Sequence, residues 1–230
     1  MTTTMSPVRK PIVYPESDGL PMAENTRQFD YITLIKGGLD IVFADREDVF
    51  VSGDLFWYPV EGNNKLCTAP DTMVAFGRPK GSRGSYQQWL EDDIAPQVVF
   101  EVLSPGNRPA EMQAKFEFYD RYGVEEYYVY DPDRGLLTGY LRDGDHLQRI
   151  PNADGRTSPR LGVRMQLKEI DLELFGPDGR RFLNVIQLDA AVRTAEQNVG
   201  ELRQRADAEQ MRADLLAAKL RELGVDPASL

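Results

Sequence analysis

The sequence contains a single cysteine, Cys67, and a single histidine, His146, among its 230 residues. One cysteine cannot form a disulfide within the chain, and so few sulfur and imidazole ligands argue against a structural zinc site. A single histidine also makes a serine–histidine–aspartate triad a poor expectation. We therefore expect a protein of a reducing, cytoplasmic compartment.

Long apolar runs and an excess of positive charge are also missing. No stretch of about 18 apolar residues occurs, and the first seven residues form no apolar signal core, so we expect neither a membrane span nor a secretion signal. The 27 Lys and Arg against 37 Asp and Glu give a net charge of −10. This charge argues against a broad basic surface that coats nucleic acid, but it leaves room for a small basic site.

The composition changes along the chain and predicts three parts. Residues 1–20 are polar and rich in proline, which indicates an extended arm. Residues 21–188 contain the apolar material of a folded domain, since 41% of the whole chain is hydrophobic. Residues 189–230 change to a charged pattern that is typical of an amphipathic helix.

Within residues 21–188 the apolar pattern predicts an α/β domain. Apolar residues from Phe29 to Leu39 follow helical spacing, although Gly37 and Gly38 weaken the helix near its end. The run from Gln97 to Leu103 is apolar on both faces, as in a central strand that is covered on both sides. Other short runs are rich in residues typical of strands: 49–52, 55–58, 72–76 and 126–130. A helix over 110–122 lies between the strands at 97–103 and 126–130, which predicts a βαβ unit.

Two turn signals predict hairpins after residue 135. Asp143-Gly144 and Asp178-Gly179 each lie between alternating runs, which is the strongest short signal for a β-hairpin.

The C-terminal helix has an apolar seam with steps of three and four residues. Nine of the ten seam positions are apolar: Val192, Ala195, Val199, Leu202, Ala206, Glu209, Ala213, Leu216, Leu220 and Leu223. This repeat favours a coiled coil that joins two copies into a homodimer. The alternative is a single amphipathic helix folded back on the body. Gly224 and Pro227 are expected to end the helix in either case.

Two acidic residues and one lysine stand out in the α/β region. Glu101 lies inside an apolar strand, Asp71 opens the preceding strand, and Lys115 lies on the following helix. A carboxylate is costly to bury in such a strand unless it is paired or binds something. Pairing with an Arg or Lys is one interpretation. The other is that Asp71 and Glu101 hold Mg²⁺ or Mn²⁺, which prefer hard oxygen ligands, with Lys115 beside an attacking water.

Asp54 is a candidate third acid for the same metal site. It stands at the head of the run 54–57, so a role as a strand-start or turn residue is an equally good interpretation.

One loop is positively charged, although the chain as a whole is negatively charged. Arg78, Lys80 and Arg83 occur in a segment, residues 78–86, that contains no acid. These side chains are candidates for contacts with a nucleic-acid backbone. A solvated loop with no such role is the alternative.

Several blocks of the sequence, taken in order, resemble a known family. They are Ala69-Pro70-Asp71, residues 80–86, Val98 to Pro105, Lys115 to Tyr119, Tyr122 to Pro132, Leu161 to Met165 and Leu223 to Pro227. Pro70-Asp71 followed by Glu101 is similar to the PD-(D/E)XK nuclease signature, and the whole set resembles the bacterial Uma-two family of restriction-endonuclease-like proteins. The resemblance covers about residues 25–227.

The resemblance implies a restriction-endonuclease-like fold and a nuclease site formed by Asp71, Glu101 and Lys115. One position departs from the plain signature, in which a lysine stands two residues after the strand glutamate. That position is Leu103 here. The resemblance implies that Lys115 takes this role from the following helix.

The sequence thus predicts an α/β fold with a mixed sheet flanked by helices and an extended C-terminal helix. The predicted function is Mg²⁺-dependent hydrolysis of phosphodiester bonds in nucleic acid, with DNA as the expected substrate. Two alternatives stay open: a nuclease-fold module that binds or assembles with little turnover, and an enzyme that acts on another phosphoryl substrate.

Overall fold

The computed structural model describes residues 12–17, 19, 23 and 25–223. The predicted arm over residues 1–20 lies largely outside the described residues, as do Gly224 and Pro227. Contacts between residues divide the chain into two compact units, Met1–Phe182 and Leu183–Leu230.

The first unit contains both helices and strands, and most of its strands follow one another directly in the chain. Its described helices are α1 (Thr26–Val42) and α2 (Pro109–Arg121), and a short 3₁₀ helix spans Gln88–Leu90. Its described strands are β1 (Val49–Ser52), β2 (Trp57–Tyr58), β3 (Thr72–Phe76), β4 (Tyr86–Gln87), β5 (Val98–Val102), β6 (Glu126–Asp131), β7 (Leu136–Asp143), β8 (His146–Arg149), β9 (Arg164–Lys168) and β10 (Asp171–Phe175).

Six of these strands form one mixed sheet in the order β1-β3-β5-β6-β7-β8. β5 and β6 pair in parallel, and the other neighbours pair antiparallel. The helix α2 connects the two parallel strands, as a crossover between parallel strands must. The predicted α/β fold with a mixed sheet and its βαβ unit are therefore confirmed. β2 pairs with β4, and β9 pairs with β10, in two small separate sheets.

Apolar side chains cover both faces of the central strand β5. Successive side chains of a strand point to opposite faces. Val98, Phe100 and Val102 therefore pack into the core that contains α1, whereas Val99 packs into the second core with Tyr119 of α2. Glu101 shares the face of Val99, so its carboxylate points toward the side of the sheet that α2 covers.

The helix α1 begins at a capped end and runs past the glycine pair. The side chain of Asn25 accepts a hydrogen bond from the backbone N–H of Gln28, which satisfies a free donor of the first turn. The helix continues through Gly38 to Val42. The close contact of Gly38 with the Phe182 ring compensates for the low helix propensity of glycine. A Cβ atom on Gly38 would lie 2.0 Å from the Phe182 ring.

Both predicted turns join antiparallel segments. The Asp143-Gly144 turn joins β7 to β8. The Asp178-Gly179 turn follows β10 and is closed by an antiparallel bridge between Phe175 and Arg181. A third hairpin, β9–β10, was not predicted, because it turns at Glu169, which adopts a left-handed conformation with φ of 58° that a glutamate rarely occupies.

The second unit contains the long helix α3 (Val185–Glu222). Asn184 and Gln187 form a capping box, in which each side chain bonds the backbone N–H of the other residue. No residue of α3 is buried. No helix in the described part of the chain combines the length and apolar character that crossing a bilayer requires.

Candidate active site

The antiparallel register of β3 and β5 brings Asp71 and Glu101 together. Thr72 lies opposite Phe100. The two strands run in opposite directions, so the residue before Thr72 lies opposite the residue after Phe100, and Asp71 faces Glu101. The period of two puts both carboxylates on the face that α2 covers. Asp71 also accepts a hydrogen bond from the backbone N–H of Val102, with an oxygen–nitrogen distance of 2.6 Å. Asp71 and Glu101 are 7% and 3% exposed, so both acids are buried.

The helix α2 supplies the two side chains that hold Glu101. The Lys115 ammonium donates to one carboxylate oxygen at 2.7 Å, and the Tyr119 hydroxyl donates to the other oxygen at 2.5 Å. Lys115 and Tyr119 are four residues apart and therefore lie on one face of the helix. The sequence left open whether Lys115 points to solvent. Its side chain is only 19% exposed and points to the strand glutamate.

The burial of these charges shifts their pKa values. Burial and the nearby charge of Glu101 raise the pKa of Asp71 well above its usual range, against the opposing effects of Lys115 and the Val102 N–H. Burial lowers the pKa of Lys115, but the charges of Glu101 and Asp71 outweigh this effect and raise it overall. The raised pKa of Asp71 shows that burial and the neighbouring Glu101 disfavour its charged form, and a bound cation would relieve this repulsion between the two carboxylates.

The backbone of Asp54 lies against the segment that carries Asp71. Its N–H donates to the Pro70 carbonyl at 3.1 Å. Its negative charge is one of the smaller causes that raise the pKa of Asp71. Asp54 adopts a left-handed conformation with φ of 45°, which an aspartate tolerates better than most residues. Among residues 25–223 and the few described before them, no group of three or more His, Cys, Asp and Glu is arranged to hold a metal ion. The role of Asp54 as a third ligand stays a prediction.

The basic loop at 78–86 is not the free basic surface that its sequence suggested. The Arg78 and Arg83 guanidinium groups both bond the Glu91 carboxylate, and Arg78 also pairs with Asp92. The Lys80 ammonium donates to the Ala44 carbonyl at 2.5 Å. The acids lie 8 to 14 residues along the chain from the arginines, so the 78–86 segment alone gave no sign of them. Contacts of these basic residues with nucleic acid stay a prediction.

Two residues of the site were missed from the sequence. Tyr119 is fully buried and bonds Glu101, and its spacing of four from Lys115 could have identified it. The side chain of Gln28 in α1 donates to the Val102 carbonyl at 2.9 Å. This contact joins residues 74 positions apart, and nothing in the local pattern around Gln28 predicts it.

Comparisons with known proteins give one family match and one similar solved structure. The model of the Uma2 family, described as a putative restriction endonuclease, matches residues 26–173, which is more than half of the chain. Comparison with curated proteins gives no match. Among solved structures, a putative nuclease belonging to DUF820 from Anabaena variabilis aligns with a TM-score of 0.45 and 15% identity, covering 59% of this chain and 72% of the other.

Proposed function

Since this chain belongs to the Uma2 family of putative restriction endonucleases, we propose that it is a metal-dependent endonuclease that hydrolyses phosphodiester bonds of nucleic acid. The observation that carries the proposal is the meeting of Asp71, Glu101 and Lys115 on one face of the sheet. DNA is the first substrate to test, because the family description is that of a restriction endonuclease.

The donor chemistry of the site fits Mg²⁺ or Mn²⁺. Asp71 and Glu101 would hold the ion, since both metals prefer carboxylate oxygens and Mg²⁺ keeps several waters, so few protein ligands suffice. Each oxygen of Glu101 accepts one hydrogen bond and retains capacity for another contact. When bound, the ion would polarise a phosphoryl oxygen and lower the pKa of a coordinated water.

Lys115 and Tyr119 have distinct tasks in this proposal. The Lys115 ammonium offsets the negative charge that develops on the phosphate and orients the attacking water by hydrogen bonding. Tyr119 fixes the Glu101 carboxylate from its buried position, so that the acid keeps one orientation. The bond from the Val102 N–H fixes Asp71 in the same way. The site is thus positioned by α2 and by the β3–β5 register.

A cleavage assay tests this function. The full chain and its Asp71→Asn variant are incubated with single-stranded and double-stranded DNA and RNA, with Mg²⁺, Mn²⁺ or EDTA. We expect cleavage of at least one substrate that requires metal and is lost in Asp71→Asn. Asp48→Asn changes an exposed acid paired with Arg46 and should leave cleavage unchanged. Lack of cleavage by the parent under every condition would favour the module that binds without turnover.

A further inference from the structure

The helix α3 presents an apolar stripe with the period of a coiled coil. With Val185 as position a of a heptad, the a positions are Val185, Val192, Val199, Ala206, Ala213 and Leu220, and the d positions are Leu188, Ala195, Leu202, Glu209, Leu216 and Leu223. Seven large apolar members of this stripe are exposed, from 44% at Leu188 to 83% at Val185. A repeat of 3.5 residues needs a second helix with the same repeat.

Glu209 decides the direction of that second helix. In a parallel pair in register, equivalent d positions face each other, so the two Glu209 carboxylates would meet in the seam. Like charges at close range are destabilising, and a seam position holds them away from water. In an antiparallel pair, a positions face d positions, and the two glutamates lie in separate layers. The sequence of the seam therefore favours the antiparallel arrangement.

Two charged residues beside the seam select one antiparallel register. Glu196 and Arg203 both border a shallow groove lined by Val192, Ala195, Val199 and Gly200. When Val199 lies beside Leu202 of a second copy, Glu196 lies beside Arg203 of that copy, and the two-fold axis repeats the pair. A shift of one heptad in either direction places Glu196 beside Glu196 or Arg203 beside Arg203. Of these three registers, only the first pairs Glu196 with Arg203.

We propose that α3 binds a second copy of this chain as an antiparallel two-stranded coiled coil, with Val199 of each copy against Leu202 of the other. The crossing point lies between these two residues. Burial of the apolar stripe supplies the free energy of association, and the Glu196–Arg203 pairs set the register. This dimer is independent of the proposed nuclease activity.

A charge-reversal cycle tests the register in the full chain. Glu196→Arg and Arg203→Glu each create two like-charge contacts, so we expect each to weaken dimerisation about tenfold at low salt, as roughly 1.4 kcal/mol of lost pairing implies. The double variant restores both pairs and should return to the parent dissociation constant, measured by analytical ultracentrifugation. A parent that stays monomeric, or a double variant as weak as the sum of the single ones, would overturn the proposal.

Spin-label distances test the direction separately. Cys67 is replaced by Ala, and one label is placed at Gln204→Cys or at Ala218→Cys, which are both on the side of α3 away from the seam. An antiparallel pair separates the two labels along the axis by about 10 Å at position 204 and about 50 Å at position 218. Similar separations at both positions would show a parallel pair and contradict the proposal.

Discussion

The Lys115 ammonium lies 2.7 Å from the Glu101 carboxylate, although the two residues belong to different elements and are 14 positions apart. Leu103, two residues after Glu101, lies just past the end of β5, where its N–H still donates to the Tyr130 carbonyl, so alternation places it on the face of Glu101. The site therefore has two backbone positions from which an amine could reach this glutamate, and the chain uses the one on α2. The position of the lysine in space matters, and its position in the sequence is secondary.

Replacement of Lys115 by Met should destabilise the fold. The change leaves a buried Glu101 beside Asp71 without its cation, and removal of one partner of a buried ion pair costs about 3–5 kcal/mol. Urea denaturation in EDTA measures the free energy of unfolding. Lys36→Met removes a half-exposed lysine paired with Asp40 and should change this free energy by less than about 1 kcal/mol. Equal effects of the two variants would contradict the buried pair.

A lysine at position 103 should rescue the loss of Lys115. Lys115→Met is expected to lower the turnover number about 10²- to 10⁴-fold, as loss of a positioned catalytic group does. The double variant Lys115→Met with Leu103→Lys places an amine on the same face as Glu101, so we expect part of the activity to return. Leu103→Met in the same background is the control and should return none. Equal cleavage rates for the two double variants would show that an amine at position 103 does not restore activity.

Two buried tyrosines of the same core allow a matched test of the hydrogen bond to Glu101. The Tyr119 hydroxyl bonds Glu101, whereas the Tyr127 hydroxyl has no hydrogen-bond partner among the described residues. Tyr119→Phe should lower the free energy of unfolding by about 1.5–3 kcal/mol, because it removes a hydrogen bond to a charged group. Tyr127→Phe should leave it unchanged or raise it slightly. Thermal and urea denaturation measure the free energy of unfolding of both variants. Equal losses of stability in the two variants would contradict the role of the Tyr119–Glu101 hydrogen bond.

The Glu91 cluster predicts a pH dependence of stability. Burial raises the pKa of Glu91, but hydrogen bonds from Arg83 and Arg78 outweigh burial and hold it below its usual range. Because this pKa is lower in the folded than in the unfolded protein, its contribution to stability is complete above the unfolded pKa of about 4.3. The contribution is lost as pH falls through the folded pKa.

Glu91→Gln removes this titration and should flatten the acid side of the stability curve. Urea denaturation at a series of pH values from neutral down to about pH 3 compares the variant with the parent. We expect the parent to lose more stability than the variant over this range. Equal losses would show that Glu91 does not carry the effect.

The sequence predicted the strands that carry the two acids and, through the family resemblance, their grouping with Lys115. The strand pattern placed Glu101 inside an apolar strand and Asp71 at the start of the preceding one, whereas the antiparallel register that sets them opposite each other comes from the structure. The Gln28–Val102 contact was not predictable, because it depends on how α1 packs on the sheet. The neutralisation of Arg78 and Arg83 depends on the fold of a loop that brings Glu91 back to them. Tertiary packing decides such contacts, and local patterns do not record it.

The central claim is that Glu101 is part of a metal-dependent hydrolytic site, and one comparison of variants tests it most directly. Glu101→Gln and Glu126→Gln each neutralise a buried strand glutamate, but Glu126 bonds Tyr128 and Ser158 and pairs with Val98 at the other end of β5. The nucleic-acid cleavage rate with Mg²⁺ is measured for both, after circular dichroism shows that each is folded. We predict that Glu101→Gln abolishes cleavage and that Glu126→Gln retains it. Cleavage by Glu101→Gln at the parent rate, or parent cleavage that persists in EDTA, would contradict the account.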